Sequence, residues 1–290
     1  MNIIALDIGG TAIKSCLFRN GELFDRREVL SEAYLGGPHV IKLAIDIIKD
    51  YNDFEAIAIS TAGQVDSETG IISYANNNIP NYTGANLCQI FMEYFNVPVF
   101  VENDVYAAAI GEAIYGTGKG KHDFLCLTYG TGIGGAIVRG GSIDKGTTNA
   151  AGEFGRIITN ADKYNDGISG YYEANASVSA LISKVSAVRP ELKDGRLVLA
   201  NLDDKTVKDL VDKWINEVVY GLISLIYAFN PSLIILGGGI MSNNYVIGLI
   251  REKVSNCDMP GHSGVSLMAA GLGNDAGLWG MYHIARGICD

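Results

Sequence analysis

The chain has 290 residues, of which 48% are hydrophobic and 19% charged, and 32 acidic against 22 basic side chains leave a formal net charge of −10. This length accommodates two domains with their own hydrophobic cores, and the composition excludes an intrinsically disordered chain. The negative charge argues against nucleic acid and acidic membrane as partners, whereas backbone N–H groups and a magnesium ion still allow an anionic nucleotide to bind.

Strands and helices alternate in the first part of the chain. Residues 2–18 predict a strand, a glycine turn and a second strand, residues 42–51 a helix, and residues 56–60 a short buried strand. Residues 97–103 predict a further strand that passes into an Ala-rich helix at Asp104. This alternation predicts an α/β sheet and puts Asp104 at the carboxyl end of a strand, where such folds carry their chemistry.

The second part of the chain repeats this design. Residues 124–138 again predict strand, glycine turn and strand, followed by a helix that ends near Phe229 and a strand at 233–236. The Gly- and Lys-rich residues 116–123 predict the boundary between two lobes. We therefore expect two similar lobes that face one cleft, with the bounds 1–115, 116–275 and a C-terminal helix in 276–290 that packs back on the first lobe.

The five cysteines are scattered without a Cys-x-x-Cys pair, which argues against a disulfide framework. The N-terminal residues lack the pattern of a signal peptide, and the sequence contains no run of about 18 apolar residues that would predict a membrane span. We therefore expect a cytoplasmic protein.

Three glycine turns follow predicted buried strands, around Gly9 and Gly10, Gly132, and Gly238. A single turn of this kind is usually only a hairpin turn, but three of them favour a cradle for a nucleotide, because a glycine backbone can approach a phosphate closely. The sequence has neither the P-loop pattern nor a convincing dinucleotide fingerprint.

Two aspartates stand at these strand ends. Asp7 precedes the first turn and is a candidate to bind magnesium through a water, or else to cap the turn. Asp104, in the sequence Val-Glu-Asn-Asp, is the candidate base for phosphoryl transfer, a reaction that needs a positioned acceptor, charge neutralisation and a carboxylate for the hydroxyl proton. Its alternative role is a helix N-cap, and the two roles are compatible.

Six motifs in order resemble those of the ROK sugar kinases of the actin-like ATPase superfamily, over nearly the whole chain. They are DIGGTAIK (7–14), STAGQVDSETG (60–70), VENDVYAAAIGEA (101–113), LTYGTGIGGAIV (127–138), AGEFG (151–155) and LGGGIM (236–241). The resemblance implies two ribonuclease H-like lobes that close on ATP and a sugar, and a homodimer.

The resemblance also assigns residues. It implies that ATP is bound by Gly9, Gly10, Thr11, Thr131, Gly132, Gly238 and Gly239, and we expect Asp7, with magnesium, and Lys14 of the first turn to join them. It implies that the sugar is bound by Gly63, Asn78, Asn103, Asp104, Glu153 and Glu173, and we expect Arg156 at the same site, where this chain departs from the family. Asn78 has ordinary turn chemistry as its alternative, and the two glutamates have that of solvated surface carboxylates.

Many members of that family hold a structural zinc with one histidine and three cysteines. The corresponding residues here are Arg156, Tyr164, Asp166 and Tyr171, and zinc requires thiolate or imidazole ligands, so we predict no zinc. The family's histidine also faces the anomeric end of the sugar. Arg156 therefore leaves three roles open: pairing with a carboxylate, stabilising the segment without zinc, or leaving room for a substituent on C1.

The expected activity is ATP-dependent phosphorylation of the 6-hydroxyl of glucose, or of the glucose unit of a β-glucoside, with Asp104 as base. N-acetylmannosamine or another hexose is the alternative acceptor. A non-catalytic sugar-binding regulator is the alternative of another class. Repressors of this family carry a DNA-binding region ahead of the first strand, and the absence of room for one and the acidic charge of this chain disfavour that role.

Overall fold

A computed structural model describes residues 1–262 and 264–289 of the chain. The chain divides into two compact units, of which unit 1 contains Met1–Lys119, Lys145–Ala150 and Asp275–Asp290, and unit 2 contains Gly120–Asp144 and Ala151–Asn274. The bounds of the lobes expected from the sequence stay a prediction, and residue 290 of the C-terminal segment lies outside the described residues.

The strands and helices follow in chain order. They are β1 (Asn2–Ile8), β2 (Ala12–Arg19), β3 (Glu22–Leu30), α1 (Gly37–Lys49), β4 (Ala56–Thr61), β5 (Gln64–Asp66), β6 (Ile71–Tyr74), α2 (Leu87–Phe95), β7 (Val99–Asn103), α3 (Asp104–Tyr115), β8 (Phe124–Tyr129), β9 (Ile133–Arg139), β10 (Ser142–Ile143), α4 (Tyr172–Ala176), α5 (Val178–Ser186), α6 (Gly195–Ala200), α7 (Lys205–Phe229), β11 (Leu233–Gly237), α8 (Asn244–Ser255), β12 (Ser266–Ala269) and α9 (Ala276–Cys289).

Unit 1 has a five-stranded mixed sheet with helices on both faces. The strand order is β3-β2-β1-β4-β7, with β1 antiparallel to β2 and parallel to β4, and β4 parallel to β7. Along β1, Ile4, Leu6 and Ile8 pack with α1 and α2, whereas Ile3 and Ala5 pack with α3 and α9. Because both faces of the sheet are buried, β1 is apolar from Ile3 to Leu6, and the polar Asp7 follows near its end.

Helix α9 completes the second face of this sheet. The ring of Phe18 stacks on Tyr282 with centroids 4.4 Å apart and meets the edge of Trp279 at 4.9 Å. A Cβ on Gly280 would collide with the backbone of Ala107 in α3, so α3 and α9 approach each other closely at this glycine. The core of unit 1 therefore includes the C-terminal helix.

Unit 2 repeats the pairing pattern of unit 1. Its strand order is β10-β9-β8-β11-β12, with antiparallel pairs from β10 to β8 and parallel pairs from β8 to β12. Trp214 of α7 is fully buried and its Nε1 donates to the carbonyls of Ala176 and Ser177 at 2.9 and 3.0 Å. The buried hydroxyls of Tyr129 and Tyr172 are 2.7 Å apart. These bonds fix both ends of the short helix α4 against the core.

Most of the predicted elements are confirmed: both hairpins are present, and α7 ends at Phe229 with Asn230 in the left-handed conformation. The predicted bounds of the first helix, 42–51, are wrong, because α1 already starts at Gly37 with a proline in its first turn and ends at Lys49. In the described part of the chain, none of the helices is both long and apolar enough to cross a membrane.

Candidate active site

A row of polar residues crosses the carboxyl ends of the parallel strands in unit 1. Asp7 of β1 pairs in register with Ser60 of β4, and Ser60 pairs with Glu102 of β7. Residues that pair in a parallel sheet point to the same face, so these side chains are neighbours. Ser60 and Glu102 are buried. Neither was predicted as a site residue, because only the register of the strands brings them next to Asp7.

Both oxygens of Asp7 have partners within the sheet. Its Oδ2 accepts a hydrogen bond from Lys14 Nζ at 2.8 Å and its Oδ1 accepts one from Ser60 Oγ at 3.0 Å. The N–H of Gly9 donates instead to the carbonyl of Ala12, which closes the turn. The structure therefore brings together Asp7 and Lys14, as predicted, and adds Ser60. The capping alternative for Asp7 finds no support in these bonds.

Asp104 is the first residue of α3, and it is half-buried. Its Oδ1 accepts hydrogen bonds from the Val105 N–H at 2.9 Å and from Asn103 Nδ2 at 3.1 Å. Burial raises the pKa of Asp104 to about 7; the negative charge of Asp7 acts in the same direction, whereas the Val105 N–H and Lys14 oppose it. A carboxylate that gains and loses its proton near neutral pH is suited to general base catalysis.

The N-cap of α3 is Asn103, so the N-cap alternative for Asp104 is wrong. Asn103 Oδ1 accepts the N–H groups of Val105 and Tyr106 at 2.9 and 3.0 Å. Its Nδ2 also donates to the carbonyl of Gly63 at 2.8 Å. Gly63 has a positive φ of 104°, and a Cβ there would lie 2.7 Å from the Tyr74 carbonyl, so the chain needs glycine at this position.

Three predicted sugar-binding residues of unit 1 thus lie together: Gly63, Asn103 and Asp104. Asn78 is different: it is exposed, and its N–H donates to Asn76 Oδ1 at 2.9 Å, which is the geometry of a turn. The described hydrogen bonds do not connect it to the other three, and they favour the turn alternative.

The first glycine turn remains open at its tip. Gly10 and Thr11 are exposed, and a Cβ on Gly10 would meet no other atom within 4 Å. The carbonyl of Thr11 accepts the N–H of Ser31, which fastens the outgoing side of the turn. The tip can therefore accept a phosphate group without displacing protein atoms.

Unit 2 brings Glu153, Arg156 and Glu173 together. Arg156 Nη1 is 3.4 Å from Glu173 Oε1, and Glu173 Oε2 accepts the Ile133 N–H at 3.4 Å. The pKa of Glu153 is raised, chiefly by partial loss of water around its carboxyl and further by Glu173, while Arg156 opposes the rise. Glu153 is nevertheless exposed, so the surface-carboxylate alternative stays open for it, whereas Glu173 is only 27% exposed and lies beside Arg156. The three side chains form a polar surface suited to binding hydroxyl groups.

The second glycine turn packs directly on Glu173. A Cβ on Gly132 would lie 2.6 Å from Glu173 Oε2, so only a glycine lets the carboxylate pack this closely against the turn. The neighbouring Thr131 is exposed.

The third turn is close to the second. Gly237 of β11 pairs in register with Thr128 of β8, and a Cβ on Gly238 would collide with the backbone of Tyr129. The φ of Gly238 is 99°, and Gly239 begins a short 3-10 turn. The residues that were assigned to the nucleotide in unit 2 therefore meet at the carboxyl ends of two adjacent strands.

Three of the residues at the family's zinc positions contact one another, and the fourth, Asp166, is hydrogen-bonded within its own turn. The rings of Tyr164 and Tyr171 are 5.4 Å apart, and the guanidinium of Arg156 lies 5.4 Å from the centre of the Tyr171 ring. Asp166 accepts the N–H groups of Ile168 and Ser169 at 2.9 and 2.8 Å. These four side chains do not fit a zinc site, because they include no thiolate or imidazole, their one carboxylate is already hydrogen-bonded and the arginine is positively charged.

Magnesium has a different requirement. Within the described residues, no cluster of three or more His, Cys, Asp or Glu side chains could hold a metal. Magnesium is, however, usually bound through one or two carboxylates, waters and substrate phosphates. Asp7 fits that role through water, because its charge raises the pKa of Asp104 and a cation beside Asp7 would offset this repulsion.

The family model described as "ROK family" matches residues 3–288. The chain belongs to the ROK family. A Clostridium perfringens protein named only as uncharacterized is 39% identical to this ROK protein, over 96% of this chain and 95% of its own length. A β-glucoside kinase of Listeria innocua is 31% identical over 99% of this chain and 98% of its own.

A solved structure extends this comparison. The ROK family glucokinase of Streptomyces griseus, in complex with glucose and AMPPNP, matches with a TM-score of 0.88 and 28% identity, over 99% of this chain and 100% of that chain. The predictions of the family, of an α/β fold of the actin-like ATPase type and of a phosphotransferase are confirmed by these relatives.

Proposed function

We propose that this ROK protein transfers the γ-phosphoryl group of ATP to the 6-hydroxyl of glucose, or of the glucose unit of a β-glucoside, with Asp104 as the base. The observation that carries the proposal is the half-buried carboxyl of Asp104 at the start of α3, which Asn103 Nδ2 and the Val105 N–H hold in place and whose pKa is raised to about 7. The names of the relatives support the acceptor class, because they include a β-glucoside kinase and a glucokinase bound to glucose.

In this mechanism Asp104 accepts the proton of the attacking hydroxyl. Asn103 orients Asp104 through its Nδ2 and fixes the start of α3 through its Oδ1. Lys14 offsets the charge of Asp7 in the free enzyme. Magnesium would be held by Asp7 through water and would neutralise charge on the nucleotide phosphates. The open first turn, with Gly9, Gly10 and Thr11, offers its backbone to those phosphates, as we propose also for Thr131, Gly132, Gly238 and Gly239 in unit 2.

We assign Glu153, Arg156 and Glu173 of unit 2 to the same sugar. Hydrogen bonds that a sugar hydroxyl donates to a charged carboxylate are strong, and they discriminate against sugars that lack the hydroxyl. The contact between Arg156 and Glu173 supports the role in which the arginine pairs with a carboxylate of the site. N-acetylmannosamine or another hexose remains the alternative acceptor. We also propose a zinc-free, cytoplasmic homodimer; a stoichiometric zinc content in purified protein would refute its first part.

The test is release of ADP from ATP with a panel of glucose, cellobiose, N-acetylmannosamine, mannose, fructose and allose. We expect turnover of glucose or of cellobiose, and a loss of about a hundredfold or more in Asp104→Asn, because loss of one general base has this effect. Asp166→Asn is the matched control, since Asp166 hydrogen-bonds only within its own turn among the described contacts. Binding of sugar without turnover in the wild type would instead identify a non-catalytic regulator.

A further inference from the structure

The buried carboxylate of Glu102 precedes Asn103 and Asp104 and plays no part in the mechanism above. The residue is 4% exposed. A buried carboxylate is costly unless it is paired and hydrogen-bonded, so its partners have to be found within the protein. Both of its oxygens have one: Oε1 accepts the N–H of Asn103 at 2.9 Å, and Oε2 lies 2.6 Å from Lys145 Nζ.

Lys145 connects three separate pieces of unit 1. Besides Glu102 at the end of β7, its ammonium donates to Ser67 Oγ at 2.5 Å, in the turn between β5 and β6. It also lies 6.0 Å from the centre of the Tyr106 ring in the first turn of α3. The Lys145 side chain is 28% exposed and that of Glu102 5%, so water screens their interaction less than it screens a pair on the surface.

The turn from β7 into α3, which Lys145 contacts, also carries Asn103 and Asp104. Asn103 joins the end of β7 to Gly63, which precedes β5, while Lys145 joins the end of β7 to Ser67, which follows β5. The peptide between Glu102 and Asn103 is therefore held on both sides, by a carboxylate oxygen on its N–H and by the N-cap bonds of the Asn103 side chain. Its orientation sets the direction of the Asp104 carboxyl one residue later.

We propose that Lys145 is a positioning residue for phosphoryl transfer: through the Glu102 carboxylate it fixes the turn from β7 into α3 that presents Asn103 and Asp104. This inference rests on the proposed function of Asp104. Lys145 opens the segment Lys145–Ala150, which belongs to unit 1 although the chain before and after it belongs to unit 2.

The test compares Lys145→Met, Lys145→Met/Glu102→Gln and Lys145→Arg with the wild type, using the sugar that gives the highest turnover. The methionine leaves Glu102 buried without its counter-charge, so we expect kcat to fall tenfold or more with the KM for ATP within about twofold. The double variant removes the uncompensated charge and keeps an acceptor for the Asn103 N–H, and Lys145→Arg keeps the charge. We expect each to recover at least a third of the wild-type kcat.

Lys49→Met is the matched control, because Lys49 and its partner Asp46 form an exposed pair at 3.1 Å; kcat should stay at the wild-type level. The midpoint of the pH dependence of kcat/KM should move in Lys145→Met, whereas a purely structural role lowers Tm and leaves this midpoint in place. If Lys145→Met is insoluble, Lys145→Gln takes its place with the same criteria.

Three results would overturn the proposal: a kcat within twofold of the wild type in the folded Lys145 variant, a lower kcat and Tm with an unmoved pH midpoint, or a double variant that regains Tm but not kcat. Absence of turnover in the wild type with every sugar contradicts the proposed function itself. The two failures are therefore distinguishable.

Discussion

Replacing Asp104 by asparagine should stabilise the protein at alkaline pH while it abolishes most of the activity. The pKa of Asp104 rises from 3.8 in an unfolded chain to about 7 in the folded protein, chiefly by burial. The folded state therefore binds the proton more tightly than the unfolded state. The stability that this provides is fully present below pH 3.8 and is lost as the pH rises through about 7.

The magnitude follows from the gap of about three pH units between the two pKa values, which corresponds to about 4 kcal/mol of lost stability above pH 8. At pH 5 only about 2 kcal/mol of this loss has accumulated, because the unfolded chain is already ionised there and the folded chain is not. Asparagine keeps an oxygen to accept the Val105 and Asn103 donors, and it carries no titratable group. The advantage of Asp104→Asn over the wild type should thus grow by about 2 to 3 kcal/mol from pH 5 to pH 8.

The assay is urea unfolding at both pH values, for Asp104→Asn, for the wild type and for Asp204→Asn. Asp204 is the control of opposite sign, because a hydrogen bond from Arg189 lowers its pKa and makes its charge stabilising above pH 4. The reasoning is refuted if the advantage of Asp104→Asn is the same at pH 5 and pH 8, or if it decreases as the pH rises.

Three further predictions concern activity. The kcat/KM for the sugar should fall about tenfold per pH unit below about pH 7, since Asp104 must lose its proton to act as the base; a pH–rate profile that is flat between pH 5.5 and 7.5 contradicts this. Gly277→Ala should lower kcat severalfold, because its Cβ would lie 3.2 Å from Ser60 Oγ and 3.6 Å from the Asp7 carboxyl. The control is Gly287→Ala at an exposed position of the same helix, which should leave kcat unchanged and raise Tm. Equal kcat values in the two variants would show that the added methyl group does not disturb Ser60 and Asp7. Gly132→Ala should raise the KM for the sugar more than the KM for ATP, because its Cβ would lie 2.6 Å from Glu173 Oε2. The control is Gly130→Ala, whose Cβ would have no neighbour within 4 Å. If initial-rate kinetics show a change only in the KM for ATP, Glu173 lies outside the sugar site.

The sequence predicted the elements whose pattern is strong. The hairpins β1–β2 and β8–β9 were predicted because buried apolar runs flank their glycine turns. Strand β3 was not predicted, because it is an edge strand, mostly exposed and rich in charges, and its pattern does not differ from that of a loop. The start of α1 could not be predicted from apolar spacing alone, because the signal there is the proline in its first turn, a position at which proline favours the start of a helix.

The site could be predicted only in part for a related reason. Asp7 and Asp104 stand at ends of predicted strands, so their positions could be derived from the chain itself. Ser60 and Glu102 become neighbours of these aspartates only through the register of three parallel strands, which a single sequence does not contain. The choice between Asn103 and Asp104 as N-cap also depends on where the helix begins within one residue, which is the least predictable property of a helix.

The position of α9 has a consequence for synthesis of the protein. The rings of Trp279 and Tyr282 cover Phe18, yet these residues are translated after all of unit 2. While the roughly 160 residues between α3 and α9 are made, at about 5 to 20 residues per second, one face of the first sheet lacks its cover for roughly 10 to 30 s. Unit 2, whose two stretches both end before α9, can complete its core on the ribosome first. The first sheet, although its strands are made before most of unit 2, is then closed after it, and in this interval its apolar face is accessible to chaperones.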